Sequence, residues 1–219
     1  MGKALAGEIS RVVDELGGFD SFSGYCEPFC GMMGVYKEMA PMLPSSYKQL
    51  AGDRNPYVVK LWKALVRGWN PPTCCSREKF YRLKKKGGSS LETIFLGHAA
   101  ALRACYLTTY RDEGHHRIAQ QAEACKVAAE KLKKVRFSEG EYLQYSDLIG
   151  HVIYCDPPYR GTKHHYFVGG TNRSKFDHDA FDEWCRRMSE KNLVLVSEFT
   201  QPPGSTRVWS KGKEGLFAY

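Results

Sequence analysis

Apolar residues recur along the chain in two rhythms. Ile9, Val12, Val13 and Leu16 return at three- and four-residue steps and predict a helix from about Ala4 to Leu16, stopped by Gly17-Gly18. Val58, Leu61, Trp62 and Leu65 predict a second helix, and the alanine-rich stretch Ile118 to Lys134 a third. Phe181, Trp184, Cys185 and Met188 share one face of a fourth, which Asp177 can cap. Short uncharged runs mark the other rhythm. His151 to Cys155 and Asn192 to Val196 read as buried strands, Gly24 to Glu27 as a short one, and Tyr47 to Ala51 as another that ends at Asp53. Pro28 to Gly34 reads as a turn into a helix, and Pro202-Pro203-Gly204 as a hairpin turn with Thr206 to Trp209 as its second arm.

Strands alternating with helices predict an open α/β sheet, and such sheets bind ligands beyond the carboxyl ends of their strands. The strand tails here carry Glu27 to Gly31, Asp53, Asp156 to Tyr159, and Ser197-Glu198. The chemistry is expected there.

Charge separates one segment from the rest. Between Arg67 and Arg136 lie 15 Lys or Arg against 6 Asp or Glu, while the remainder holds 17 against 18. One lysine run reads as a solvated face. An excess confined to a whole segment, with Trp69, Phe80, Tyr81, Tyr106 and Tyr110 interleaved, favours nucleic acid, because cations bind phosphates and aromatic rings stack on bases. The 219 residues, 42% of them hydrophobic, suffice for one mid-sized domain with an embedded lobe. No apolar run approaches a membrane span, and the first residues lack a signal-peptide core. The eight cysteines are scattered, which fits reduced thiols in a cytoplasmic protein. His115-His116 and His164-His165 lack zinc-site spacing, so no metal is expected.

Asp156-Pro157-Pro158-Tyr159 follows a predicted buried strand. The prolines fix φ and remove two N–H donors, so the segment offers a carboxylate, an outward carbonyl and an aromatic face within four residues. An exocyclic amine on a planar base needs those three groups. Its lone pair is delocalised into the ring, and donating both N–H bonds to Asp156 and the Pro157 carbonyl exposes it, while Tyr159 stacks on the ring. A plain Pro-Pro loop is the alternative for the tetrapeptide alone. Tyr25-Cys26-Glu27-Pro28-Phe29-Cys30-Gly31 brings a strand into a glycine turn, which suits a nucleoside-containing cofactor. Asp53-Arg54-Asn55 can accept ribose hydroxyls or can simply cap the next helix.

Together these residues resemble the Dam-like, alpha-group DNA N6-adenine methyltransferases. Tyr25 to Gly31 matches the family's EPF-x-G loop, Asp53 to Asn55 its D-x-N element and Asp156 to Tyr159 its DPPY motif. Gly2-Lys3 is similar to the tail of its GGK motif, Gly140-Glu141-Tyr142 to its G-D-F element, and Thr162 and Tyr166 to positions after DPPY. Gly68-Trp69-Asn70-Pro71-Pro72 and Phe95-Leu96-Gly97 are similar to phage-encoded members. Where the family loop has a second glycine, this chain has Met33, with Gly34 one place on.

The resemblance implies a Rossmann-like methyltransferase fold, a mostly parallel sheet flanked by helices. Residues 1–66 and 137–219 would form the core and 67–136 an inserted basic target-recognition region. It implies methyl transfer from S-adenosylmethionine to adenine N6 in DNA, by direct displacement on a flipped-out base. The catalytic set would be Asp156, Pro157, Pro158 and Tyr159. The cofactor would meet Lys3, Glu27, Pro28, Phe29, Gly31, Asp53, Glu141, Tyr142 and Asp156. DNA would meet Trp69, Lys84, Lys85, Lys86, Arg103, Arg111 and Tyr166. Methylation of cytosine N4 or of RNA, and a non-catalytic binding module, are the alternatives.

Overall fold

Three strands are buried along their whole length: β1 (Gly24–Glu27), β4 (His151–Cys155) and β5 (Leu193–Glu198). Strands covered on both faces have no solvent side to mark with polar residues, which is why they read as unbroken apolar runs. They lie at the centre of a seven-stranded sheet in the computed structural model, which describes residues 1–100, 109–110, 114–161 and 176–219. The strand order is β3-β2-β1-β4-β5-β7-β6, with β2 Lys48–Asp53, β3 Arg136–Glu139, β6 Thr206–Lys211 and β7 Glu214–Ala218. β3, β2, β1, β4 and β5 run parallel, and β7 inserts antiparallel between β5 and β6. This is the Rossmann-like methyltransferase arrangement.

From β1 the chain winds outward through β2 to β3, then returns to lay β4 on the other side of β1. The neighbours β1 and β4 therefore flank the switch point, where an open α/β sheet leaves a crevice beyond its carboxyl ends. Glu27 ends β1, and Asp156 follows the last residue of β4.

The flanking helices form from the predicted stripes. α1 (Gly2–Glu15) buries Leu5, Ala6, Ile9, Val12 and Val13, and ends against Gly17 and Gly18, both at positive φ. It packs with α2, a single turn at Tyr36–Met39. α7 (His178–Ser189) is capped by Asp177, whose Oδ1 accepts the Ala180 N–H at 3.0 Å. Its Phe181, Trp184, Cys185 and Met188 join Cys26, Ile153, Cys155, Val194 and Val196 in one buried cluster.

The chain divides into two compact units, Met1–Asn55 with Lys134–Tyr219, and Pro56–Lys133. The second unit is helical in its described residues: α3 (Pro56–Val66), α4 (Arg77–Lys86), α5 (Leu91–Ala99) and α6 (Gly114–Lys131). Ser76 and Ser90 cap α4 and α5, each accepting the N–H three residues on at 3.1 Å. Phe80, Ile94 and Phe95 are buried within it. Helix α3, grouped with the core in the sequence reading, packs here on α5 and α6.

One expectation is corrected. The hairpin turns not at Pro202-Pro203-Gly204 but at Gly212-Lys213, joining β6 to β7. The Pro-Pro-Gly segment instead carries the chain past the place β7 later takes beside β5. Arg136, the last residue of the basic segment, opens the edge strand β3, paired with β2 from Leu50↔Arg136 to Asp53↔Glu139.

Candidate active site

The glycine loop is fastened at both ends. Asp53, at the tip of β2, accepts the Gly31 N–H on Oδ2 at 2.9 Å and the Asn55 N–H on Oδ1 at 2.8 Å. Burial raises its carboxyl, and those two N–H groups counteract the rise. Cys30 N–H adds a bond to the Gly52 carbonyl at 2.8 Å. At the far end Gly2 of α1 rides so close to the Gly34 carbonyl that a Cβ there would collide with it. Lys3 is exposed beside that contact, so the structure stands it at the end of the loop.

Gly31 takes φ +44, with open space where a Cβ would sit. Met33 takes φ 56, the one non-glycine residue at positive φ among the described residues. The position where the family carries glycine thus keeps a left-handed backbone, and the thioether side chain is wholly buried. A left-handed conformation costs a substituted residue roughly 1–2 kcal/mol, while removing a buried methionine costs about 2–5 kcal/mol. Met33→Gly is therefore expected to lower the melting temperature. Thermal denaturation checks this, and a rise would mean that strain outweighs packing.

Glu27 is 2% exposed, and its Oε1 accepts the Tyr25 hydroxyl at 2.8 Å. Burial pushes its carboxyl well above the ordinary range, the Tyr25 bond opposes this, and Asp156 adds repulsion. Among the described residues no cation pairs with it. Phe29 stacks on Tyr142 with ring centroids 5.8 Å apart, and both rings meet Phe181 and Phe176 at the rim of the core. Glu141 points elsewhere, pairing at 3.3 Å with Arg54 on the exposed surface.

Asp156 is exposed, yet the density of protein around its carboxyl raises it from 3.8 to about 6. Burial is the main cause; the Tyr159 hydroxyl counteracts it, and Glu214 and Glu198 add like-charge repulsion. The Tyr159 hydroxyl donates its one hydrogen to Glu214 Oε1 at 3.2 Å, and its ring meets Phe199 edge-on at 4.5 Å. Both carboxylates, after burial, hold its phenol protonated. Pro157 is buried and Pro158 half-buried.

Glu198, one of the strand-tail residues where chemistry is expected, gains definite partners here; Arg160, Asp182 and Tyr219, which the sequence reading did not single out, join it. Glu198 is 2% exposed; its Oε1 accepts the Arg160 N–H and its Oε2 the Phe199 N–H, both at 2.6 Å. The Arg160 side chain pairs with Asp182 at 2.5 Å, and Tyr219 donates to the same carboxylate at 3.0 Å. Asp182 is a charged residue on the apolar face of α7, and that misfit was the available signal. Cys155, by contrast, is simply core.

A comparison with known families decides the class. The model of the D12 class N6 adenine-specific DNA methyltransferases matches residues 3–208. The chain belongs to that family. The methyltransferase accordingly transfers a methyl group to adenine N6 in DNA, and membership implies S-adenosylmethionine as the donor. No curated protein sequence matches the chain. Similar solved structures include the rRNA methyltransferase aviRa from Streptomyces viridochromogenes, at 13% identity and TM-score 0.46, covering 100% of this chain and 84% of that one. A second aviRa structure gives 12% and 0.47, with the same coverage. TrmN from Thermus thermophilus gives 15% and 0.42, covering 99% of this chain and 48% of that one. The strand order, not these likenesses, carries the fold.

The residues present fit the donor. S-adenosylmethionine carries a sulfonium and an ammonium cation, and the methyltransferase buries a carboxyl, Glu27, which meets no cation among the described residues, at the switch point beside a glycine loop with open space at Gly31. Among the described residues no three His, Cys, Asp or Glu are placed to hold a metal ion, and no helix is long and apolar enough to cross a membrane. Trp69, half-buried and edge-on to Phe95, and Lys84, Lys85 and Lys86, exposed at the end of α4, lie in the second unit. Arg103, Arg111, Thr162 and Tyr166 lie outside the described residues.

A pH dependence follows. Asp156 accepts hydrogen bonds fully only when ionised, so methyl transfer should fall as pH drops through about 6. Water around the exposed carboxylate tempers the rise. A pH profile of kcat checks this; a flat profile from pH 7 to 5 would contradict it.

Proposed function

We propose that the methyltransferase is of the Dam-like type and acts on an adenine swung out of the DNA stack into the crevice between the tips of β1 and β4. The meeting of Glu27 and Asp156 at the switch point, beside the glycine loop, is the observation that carries this reading. When bound, S-adenosylmethionine would supply a methyl carbon open to direct attack by an amine, its sulfur leaving as a neutral thioether. Glu27 and the loop ending in Gly31 would hold its cationic end, with Lys3 at the loop's far end. Asp53 would offer its remaining lone pairs to the ribose, and Phe29 and Tyr142 would flank the adenine ring.

Asp156 and the Pro157 carbonyl accept the two N–H bonds of adenine N6, freeing its lone pair, and Asp156 takes the proton that N6 sheds. The Pro157-Pro158 kink holds that carbonyl in place. The Tyr159 ring stacks on the base, its plane set by the bond of its hydroxyl to Glu214 and by the edge-on contact with Phe199. Fixed acceptors of this kind need no reorganisation as charge develops on nitrogen. The second unit, with 15 Lys or Arg against 6 Asp or Glu in residues 56–133, would hold the phosphates and help to offset the cost of extruding the base. Resemblance to phage-encoded members favours protection of viral DNA from restriction as the setting.

Isotopically labelled S-adenosylmethionine, offered with duplex DNA, single-stranded DNA or RNA, tests the reading after digestion to nucleosides and mass spectrometry. Label is expected in N6-methyldeoxyadenosine. Label in cytosine or RNA would overturn the substrate, and DNA binding without any label would favour a non-catalytic module.

A further inference from the structure

We infer that Glu198 is a positioning residue that clamps the DPPY loop to the end of β5. The inference rests on the active-site reading above. β4 and β5 are parallel with Cys155 level with Val196, so two residues further on Pro157 and Glu198 come level where the strands end. There the β4–β5 ladder has ended at Cys155↔Val196, although Glu198 still pairs with Gly215 of β7, and the Glu198 side chain carries the tie between the two segments onward. One carboxylate oxygen takes the N–H of Arg160, immediately after Tyr159, and the other takes the N–H of Phe199. A buried carboxylate spanning two backbone donors fixes both segments at once, because leaving either donor unpaired is costly.

The clamp works with a second fastening. The Arg160 guanidinium reaches the buried Asp182 of α7, so the residue after Tyr159 is held by backbone on β5 and by side chain on the helix. Two aromatic rings are set in consequence, Tyr159 against the 43% exposed Phe199. Glu198 touches neither base nor donor in this scheme. Its effect runs through the positions of Asp156, Pro157 and Tyr159, and misplacement by about 1 Å can cost on the order of 100-fold in rate.

Glu198→Gln keeps the shape but turns one acceptor into a donor, so one of the two N–H groups loses its partner. In the full-length enzyme kcat is expected to fall about 10- to 100-fold, with S-adenosylmethionine affinity, read by calorimetry, little changed. Glu198→Asp, which keeps a carboxylate, should recover part of the rate. The acid limb of the kcat profile should also move to lower pH in the Gln variant. Asp156 faces Tyr159 from its own loop, Tyr154 from β4, Glu27 from β1, Glu214 from β7 and Glu198 from β5, and one of those negative charges would be gone. Amide exchange at Arg160 and Phe199 gives a readout independent of turnover and should accelerate in Glu198→Gln. An unchanged kcat, a parallel loss of cofactor affinity, or unchanged protection of both amides would overturn the clamp. If Glu198→Gln does not fold, Glu198→Asp decides: parental kcat and parental exchange at both amides would overturn it. A parent enzyme that transfers no label would refute the active-site reading instead, while the exchange measurement would still judge the clamp.

Discussion

Asp156→Ala is expected to lower kcat for methyl transfer by about a thousandfold while the protein melts no earlier than the parent. The two halves of that result have one cause. Asp156 is the only charged acceptor in the DPPY loop, and an ionised acceptor makes roughly twice as strong a hydrogen bond as a neutral one. In the proposed mechanism, removing it would leave one N–H of the adenine amine unbonded and its lone pair in the ring. The same carboxylate works against folding. Its pKa in the folded protein lies above the ordinary 3.8, because burial and the neighbouring Glu214 and Glu198 disfavour its charge. A carboxyl raised on folding holds its proton more tightly in the native state, so stability declines as pH rises from about 4 through about 6. Above that window the ionised group remains a net burden, reduced by water around the exposed carboxylate. Asp156→Asn should therefore melt at or above the parental temperature at pH 7 and lose the parent's decline between pH 4 and 6. Parallel melting curves and labelled-methyl assays test this. A variant that melts well below the parent would make the lost activity structural and sink the catalytic role.

That a carboxylate proposed as catalytic should burden the fold also explains what was legible in the sequence. Cys155-Asp156-Pro157-Pro158-Tyr159 announces itself because a charge and two prolines stand directly after an unbroken buried strand, a local conflict that chemistry explains better than packing. β4, β5 and α7 are legible for the same local reason: complete burial writes continuous apolar runs, and a helix face writes a 3.6-residue stripe. β3 is not legible. Arg136–Glu139 is four residues long, buries only Phe137, and pairs with β2 across more than the length of the second unit. α4 is masked differently, since only Phe80 of its ten residues is buried and its charge dominates the pattern. The hairpin was misplaced because Pro202-Pro203-Gly204 has strong turn chemistry, whereas Gly212-Lys213 is hidden in a charged run. The bonds of Glu198 and the Arg160–Asp182 pair depend on which strand ends come level, and no window of sequence contains that. Met33 was visible as a departure from the family loop; its left-handed backbone, held by a buried side chain, was not.

Replacing Lys84, Lys85 and Lys86 together with alanine is expected to weaken duplex binding by about 10- to 100-fold near physiological salt and to reduce the slope of log affinity on log salt by about 2. Each phosphate neutralised contributes about 0.9 to that slope, so three contacts would remove about 2.7. Helix geometry argues for less. Consecutive residues on α4 are fanned about 100° apart and cannot all face one DNA backbone. The competing explanation is local: cations in the last turn of a helix interact favourably with its dipole, and all three stand in the last turn of α4. That interaction is worth only about 0.3–1 kcal/mol per exposed charge, and alanine restores part of it through its higher helix propensity. The dipole reading therefore predicts a small shift in melting temperature and an unchanged salt slope. The phosphate reading predicts the reverse. Filter binding across a salt series separates them, because counterion release depends on contacts to the polyanion and not on helix stability. An unchanged slope would move the phosphate contacts to other exposed cations, with Lys131 and Lys134 the next to replace, since Lys133 is already paired with Glu130.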